Sequence, residues 1–241
     1  MSIAMHFRIM PSRCLALATA ALALPADAAD LATKVPPPVA IAYNWNGLYG
    51  GANFGFSFNR EGVTTPFGAA STDPSGVLGG GQVGYNFQFA PSWLIGIEGE
   101  FDGTSARGTT NVVGTGAQIG TALSVASDHD WYAVLSGRLG YVSGPWLFYA
   151  KGGPAWMNAD YQIQVNSGVG GALSLDTTRT GWMAGGGVEY MLTARWSAKV
   201  EYEYLEFGSS TLNFAAPVGA TPVRSQVNEV KAGVNYHFSG L

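Results

Sequence analysis

Ser127 and His129 are the pair whose types and spacing come nearest to catalysis in this chain. Two residues apart, they share a face of an extended segment, and a hydroxyl nucleophile needs a base within reach. Asp128 and Asp130 are their neighbours in sequence. Against this stands a plainer reading, since polar residues at a junction between loop and strand are ordinary. His237 has no nucleophile close in sequence and reads as a polar lining or rim residue. The chain carries no Cys-x-x-Cys-His, no metal-ligand spacing, no phosphate loop and no basic stripe. No catalytic residue, cofactor or metal is therefore expected.

The second candidate chemistry is electrostatic. Glu98, Glu100, Asp102, Arg138, Lys151, Glu189, Lys199, Glu201, Glu203, Glu229 and Lys231 occur at alternate positions, each opposed by apolar neighbours. If those positions face one narrow interior, the charges must be paired or wetted, because an isolated buried charge costs several kcal/mol. They are expected to form a structural ionic network. Acids outnumber bases, so any ion that passed would be a cation.

The elements that would position these residues are strands. Alternation repeats eight times from Trp45 onward, as in Trp93, Ile95, Ile97 and Phe101 against Glu98, Glu100 and Asp102. Short links join alternate pairs: Ala90-Pro91-Ser92, Ser143-Gly144-Pro145 and Thr193-Ala194-Arg195. Long segments, 59–74, 103–128, 158–177 and 208–223, separate the others. Short and long connections in strict alternation, with an even strand count, describe a bacterial outer-membrane barrel with tight periplasmic turns and long outer loops.

Aromatics agree with this layout. Trp93, Trp146 and Trp196 open strands directly after short links, and Phe89, Tyr141, Tyr190 and Phe238 close them. Trp45 precedes the first strand and is assigned to the same periplasmic ring, although it is out of phase with Leu48. Amphipathic rings belong at lipid headgroups, whereas core packing gives no reason to restrict them to strand ends. The predicted fold is all-β, an eight-stranded antiparallel up-and-down transmembrane barrel whose lumen admits side chains or one small ligand.

Composition excludes the competing classes. Gly makes up 34 of 241 residues, and only 12% are charged, while 47% are hydrophobic. Disordered chains lack such apolar content, and no run of 18 apolar residues marks a membrane helix. Residues 1–28 read as a signal peptide: Arg8 and Arg13, an apolar stretch over 14–24, then Ala26-Asp27-Ala28. Cys14 is the only cysteine and stands at the start of the apolar stretch instead of after it, which argues against a lipoprotein anchor. After cleavage no thiol or disulfide is expected. Net charge is then −5, from 10 Lys+Arg (12 less Arg8 and Arg13) and 15 Asp+Glu (16 less Asp27). Nucleic acid is a poor partner for such a chain. Residues 29–44, centred on Pro36-Pro37-Pro38, read as a periplasmic lead; 45–238 form the barrel and 239–241 a short tail.

Four stretches carry a family resemblance: Trp45-Asn46-Gly47-Leu48-Tyr49-Gly50-Gly51, Gly181-Trp182-Met183-Ala184-Gly185-Gly186-Gly187-Val188-Glu189-Tyr190, Trp196-Ser197-Ala198-Lys199-Val200-Glu201-Tyr202, and Lys231-Ala232-Gly233-Val234-Asn235-Tyr236-His237-Phe238. In this order they resemble the small opacity-like outer-membrane β-barrels, which include major surface antigens of alphaproteobacteria. One departure is that Ser239-Gly240-Leu241 follows the closing aromatic. The resemblance implies a surface-exposed envelope protein in contact with outer-membrane lipid and lipopolysaccharide, with loops available to a host or surface ligand. Alternatives are a small porin, loop-mediated haemin binding, and lipid A modification of the kind some eight-stranded barrels perform with a His and a Ser. The deacylase motifs do not match. Oligomeric state is not readable.

Overall fold

The computed structural model describes residues 43–65, 68–113, 122–165, 171–213 and 220–238. The expected signal peptide, most of the Pro-rich lead and the tail after Phe238 lie outside them. Ten strands follow in order: β1 Gly47–Thr65, β2 Gly68–Thr72, β3 Ser75–Ala90, β4 Trp93–Thr104, β5 Arg107–Val113, β6 Ala122–Ser143, β7 Trp146–Val165, β8 Gly171–Met191, β9 Trp196–Asn213 and β10 Ala220–His237. Eight of them close a ring: β1 pairs with β3 on one side and β10 on the other, and β4, β6, β7, β8 and β9 complete the circuit. Every ladder is antiparallel. Closure leaves the ring without an edge.

The strand count differs from eight because two ring strands are interrupted. β2 prolongs β3 beyond a break at Asp73-Pro74, and β5 prolongs β4 beyond Ser105-Ala106. Pro74 lacks the N–H a ladder needs. Above the breaks β2 pairs with upper β1 and β5 with upper β6. The stretches expected to be long loops are thus largely strand: β1 reaches Thr65, β7 reaches Val165 and β9 reaches Asn213.

Two bands with opposite patterning explain why. In the lower band large apolar side chains point outward and are exposed, including Phe54, Phe56, Ile95, Ile97, Leu135 and Val200. Such a continuous apolar surface belongs in lipid. In the upper band Arg60, Gln162 and Gln164 point outward, while Val63, Tyr161 and Ile163 are buried inside. Phase does not change along β7, where Lys151, Met157, Tyr161 and Ile163 all face inward. Only the solvent outside changes, from lipid to water, so the sign of the pattern inverts.

Aromatic pairs frame the lipid band. Trp93–Tyr141, Trp146–Tyr190 and Trp196–Tyr236 lie at ring distances of 5.4, 4.6 and 5.1 Å at the periplasmic end. Phe101–Trp131 and Trp182–Tyr204 mark the other rim at 5.6 and 5.7 Å. Trp45 is not in the periplasmic ring. It is fully buried in the barrel floor with Leu94, Val142, Leu147 and Met191. Gly47, at φ 113°, explains the break in phase: the chain turns there, in a conformation open to glycine, between the floor and β1.

Candidate functional site

The lower lumen is built from alternate residues of consecutive strands. Glu98, Glu100 and Asp102 come from β4; Arg138 from β6; Lys151 from β7; Glu189 from β8. β9 supplies Lys199, Glu201 and Glu203, and β10 supplies Glu229 and Lys231. None of the eleven is more than 6% exposed. The structure brings all of them into one connected set of ion pairs.

Lys151 is its hub. Its Nζ lies 2.5 Å from Glu203, 2.9 Å from both Glu98 and Glu201, and 3.2 Å from Glu100. Glu100, Glu201 and Glu203 bring oxygen atoms close enough together to hold a metal ion. The Lys151 ammonium already contacts all three. Lys231 contacts Glu100, Glu203 at 2.8 Å, and Asp102 and Glu229 at 3.3 Å each. Lys199 pairs with Glu201 at 2.6 Å.

Arg138 joins this hub to the floor. Its guanidinium lies 3.1 Å from Glu189 and 3.7 Å from Glu98, donates to the Tyr49 hydroxyl at 2.8 Å, and stacks 4.0 Å from the Tyr149 ring centroid. Tyr49 donates in turn to Glu98 at 2.8 Å, and Tyr149 to Glu201 at 2.7 Å. Glu189 also accepts from Ser197 and Asn235. His237 sits beside Ser197 at 2.9 Å and stays 3.7 Å from Glu189.

Ser127 and His129 do meet, and sequence reasoning missed their acid. Above the ionic layer, Ser127 Oγ lies 3.5 Å from His129 Nε2, and Glu61 Oε1 lies 3.1 Å from the same nitrogen. Asp128 and Asp130 are not the partners. A β-bulge at Asp130 shifts the phase of β6, so that His129 and Tyr132 both point inward. Glu61 also accepts from Ser225 at 2.5 Å and Tyr161 at 3.0 Å. Arg179, likewise not anticipated, donates to Ser225 and to the carbonyls of Gly208 and Val223. The signal for both residues was present as inward phase, but Glu61 fell in a segment read as a loop and Arg179 between such a segment and the next recognised strand.

This group lacks the layout of a catalytic relay. A relay places the acid on one imidazole nitrogen and the nucleophile on the other. Here Ser127 and Glu61 share Nε2, while Nδ1 faces the Tyr132 hydroxyl at 2.7 Å. Both His129 and Glu61 side chains are fully buried. The arrangement is a buried hydrogen-bond layer packed against an apolar cluster that includes Val63, Val125, Ile163 and Val223.

Comparison with known proteins supplies the family. The model for the outer membrane protein beta-barrel domain matches residues 14–238. The 31 kDa outer-membrane immunogenic protein of Brucella melitensis is 29% identical over 247 residues, covering 95% of this chain and 100% of the relative. The 25 kDa outer-membrane immunogenic protein of Brucella canis is 29% identical over 222 residues, covering 90% of this chain and 92% of the relative. Among solved structures, OprG of Pseudomonas aeruginosa is 13% identical with a TM-score of 0.45, covering 80% of this chain and 97% of that one. Neisserial surface protein A is 16% identical with a TM-score of 0.38, covering 80% and 98%. A closed antiparallel ring, a lipid-facing apolar band and a family match over nearly the whole sequence lead to one conclusion: this chain belongs to the outer membrane protein beta-barrel family and is a protein of the bacterial outer membrane.

Proposed function

We propose that this protein is a structural, surface-exposed barrel, non-enzymatic, whose lumen is sealed by its own side chains and whose outer segments meet the environment or a host. One observation carries the reading: Lys151 Nζ is within 3.2 Å of four carboxylates drawn from two sides of the ring. A side chain that crosses the lumen and is held at four points closes it. The Trp45 floor and the apolar upper cluster support closure from each end. The two Brucella relatives, named as immunogenic, support surface display. Outer-membrane lipid and lipopolysaccharide would contact the apolar band and the rim above it.

Planar-bilayer recording of the refolded protein tests this reading. A closed lumen gives no discrete steps above the leak of empty bilayers. Stable unitary currents would replace it with a small cation-preferring porin.

A further inference from the structure

The ring is closed by hydrogen bonds only in its lower band. Between β8 and β9 the ladder joins Met191 to Ser197, rises to Trp182 and Glu206, and stops there. Yet β8 continues up to Gly171 and β9 to Asn213. β2 pairs with β1 alone, and β5 pairs with β6 apart from one bridge, Ser75 to Arg107, with β3. Among the described residues, two seams without a ladder therefore divide the upper band. They part it into two leaves of four strands: β9, β10, β1 and β2 form one, and β5, β6, β7 and β8 the other.

Each seam starts at an irregularity of the chain. Pro74 and Ser105-Ala106 interrupt the strands at the first. At the second, Phe207 and Gly208 together oppose Ser225 in the β9–β10 ladder, a bulge with Gly208 at φ 60°. A bulge bends its strand and increases the local twist, and the β8–β9 ladder ends at Glu206, just below it.

Side chains, not a ladder, join the leaves. Arg179 on β8 reaches across its seam and donates to the carbonyls of Phe207 at 3.3 Å, Gly208 at 2.9 Å and Val223 at 3.0 Å. It also donates to Ser225 Oγ at 2.5 Å. Buried carbonyls need donors, and the five N–H groups of a guanidinium can serve several at once. From the first leaf Glu61 accepts from Tyr161 on β7 at 3.0 Å and meets His129 on β6 at 3.1 Å. Ser225 donates to Glu61 in turn, which connects the two sets of bonds. Val63, Phe207 and Val223 of the first leaf belong to one apolar cluster with Val125 and Ile163 of the second.

We infer that the upper barrel is a two-leaf clamp, which opens along both seams while the lower ring stays shut, with Arg179 and Glu61 as its latch. Parting the leaves breaks side-chain bonds and apolar contacts but no ladder. In the lower band the same motion would have to break a ladder on each side. Regions held by fewer backbone bonds open at a lower free energy than the whole fold. The Lys151 layer and the Trp45 floor stay in place in both states, so the inference goes beyond the closed-lumen reading and does not depend on it.

The test is thiol labelling of the full chain, refolded in neutral detergent, with a water-soluble maleimide. A Cys14→Ser background removes the only native thiol. Val63→Cys and Val125→Cys place one probe on the inner face of each leaf, and Leu147→Cys places a control in the floor. Both leaf thiols are expected to react at least tenfold faster than the floor thiol. Adding Arg179→Gln should speed both leaf reactions at least tenfold further and leave the floor unchanged. If Arg179→Gln fails to refold, Arg179→Lys replaces it, since an ammonium keeps the charge but lacks the fork that spans three carbonyls and Ser225. Leaf thiols no faster than the floor thiol overturn the clamp, as does a leaf rate unmoved by loss of the guanidinium. Equal acceleration at all three positions also overturns it, because the barrel would then be loosening as a whole.

Discussion

Trp45 meets His237 edge-on inside the barrel, with ring centroids 5.5 Å apart and planes at 86°. The chain thus begins its barrel by sealing it: a residue from before β1 covers one from the end of β10. Tyr49 adds a second contact to the same imidazole at 5.8 Å.

If Trp45 is floor and not girdle, truncation should be costly. Trp45→Ala is expected to destabilise the refolded barrel by about 3–5 kcal/mol, the usual range for emptying a buried aromatic site. Trp45→Phe should cost much less, because the indole N–H has no partner to lose. Urea unfolding of both variants checks this, and a loss below about 1 kcal/mol for Trp45→Ala would return the residue to the lipid interface.

Arg138 is tied to Glu189, Glu98 and Tyr49 with almost no exposure. Removing one partner of a buried pair leaves the others uncompensated, so Arg138→Ala should cost roughly 3–5 kcal/mol. The same unfolding assay applies. A change under about 1 kcal/mol would mean that water reaches the network.

Leu135 and Val200 point into the lipid band from β6 and β9. Leu135→Arg or Val200→Arg should lower stability by roughly 2–4 kcal/mol, the cost of a guanidinium near the bilayer midplane. Gln162→Arg, on the outer face of the upper band, should be nearly neutral. Equal costs at all three positions would show that the upper band is also in lipid.

Ser127 and Glu61 should separate as structural residues. Ser127→Ala is expected to cost no more than about 1.5 kcal/mol. Glu61→Ala should cost about 3–5 kcal/mol, since it strips Ser225, Tyr161 and His129 of their shared acceptor. Mass spectrometry of lipid A from cells with and without the protein should show the same acylation. A Ser127-dependent acyl change would establish chemistry at this site.

Much of the lower barrel was legible in the residues. Glu201 and Glu203 against Val200 and Tyr202 state two faces directly, because lipid and a polar lumen make opposite demands on successive side chains. The upper barrel was not legible. Tyr161 and Ile163 opposite Gln162 and Gln164 keep the same phase with the opposite sign, and a reading tuned to apolar-outward strands takes that for loop. Trp45 was misplaced for a related reason: its type suits a headgroup ring, and only the turn at Gly47 sends it inward.

The sequence by itself determined the ring, its membrane face and which charges share the lumen, since each follows from local alternation and from the lengths of connections. Partnership was decided by tertiary structure. Arg138 lies opposite Lys151 in the β6–β7 ladder, yet its ion pairs run to Glu98 and Glu189 on other strands. Glu61 meets His129 across 68 residues. Strand tilt and closure set which side chains face one another across a barrel, and no local pattern along one strand encodes that distance.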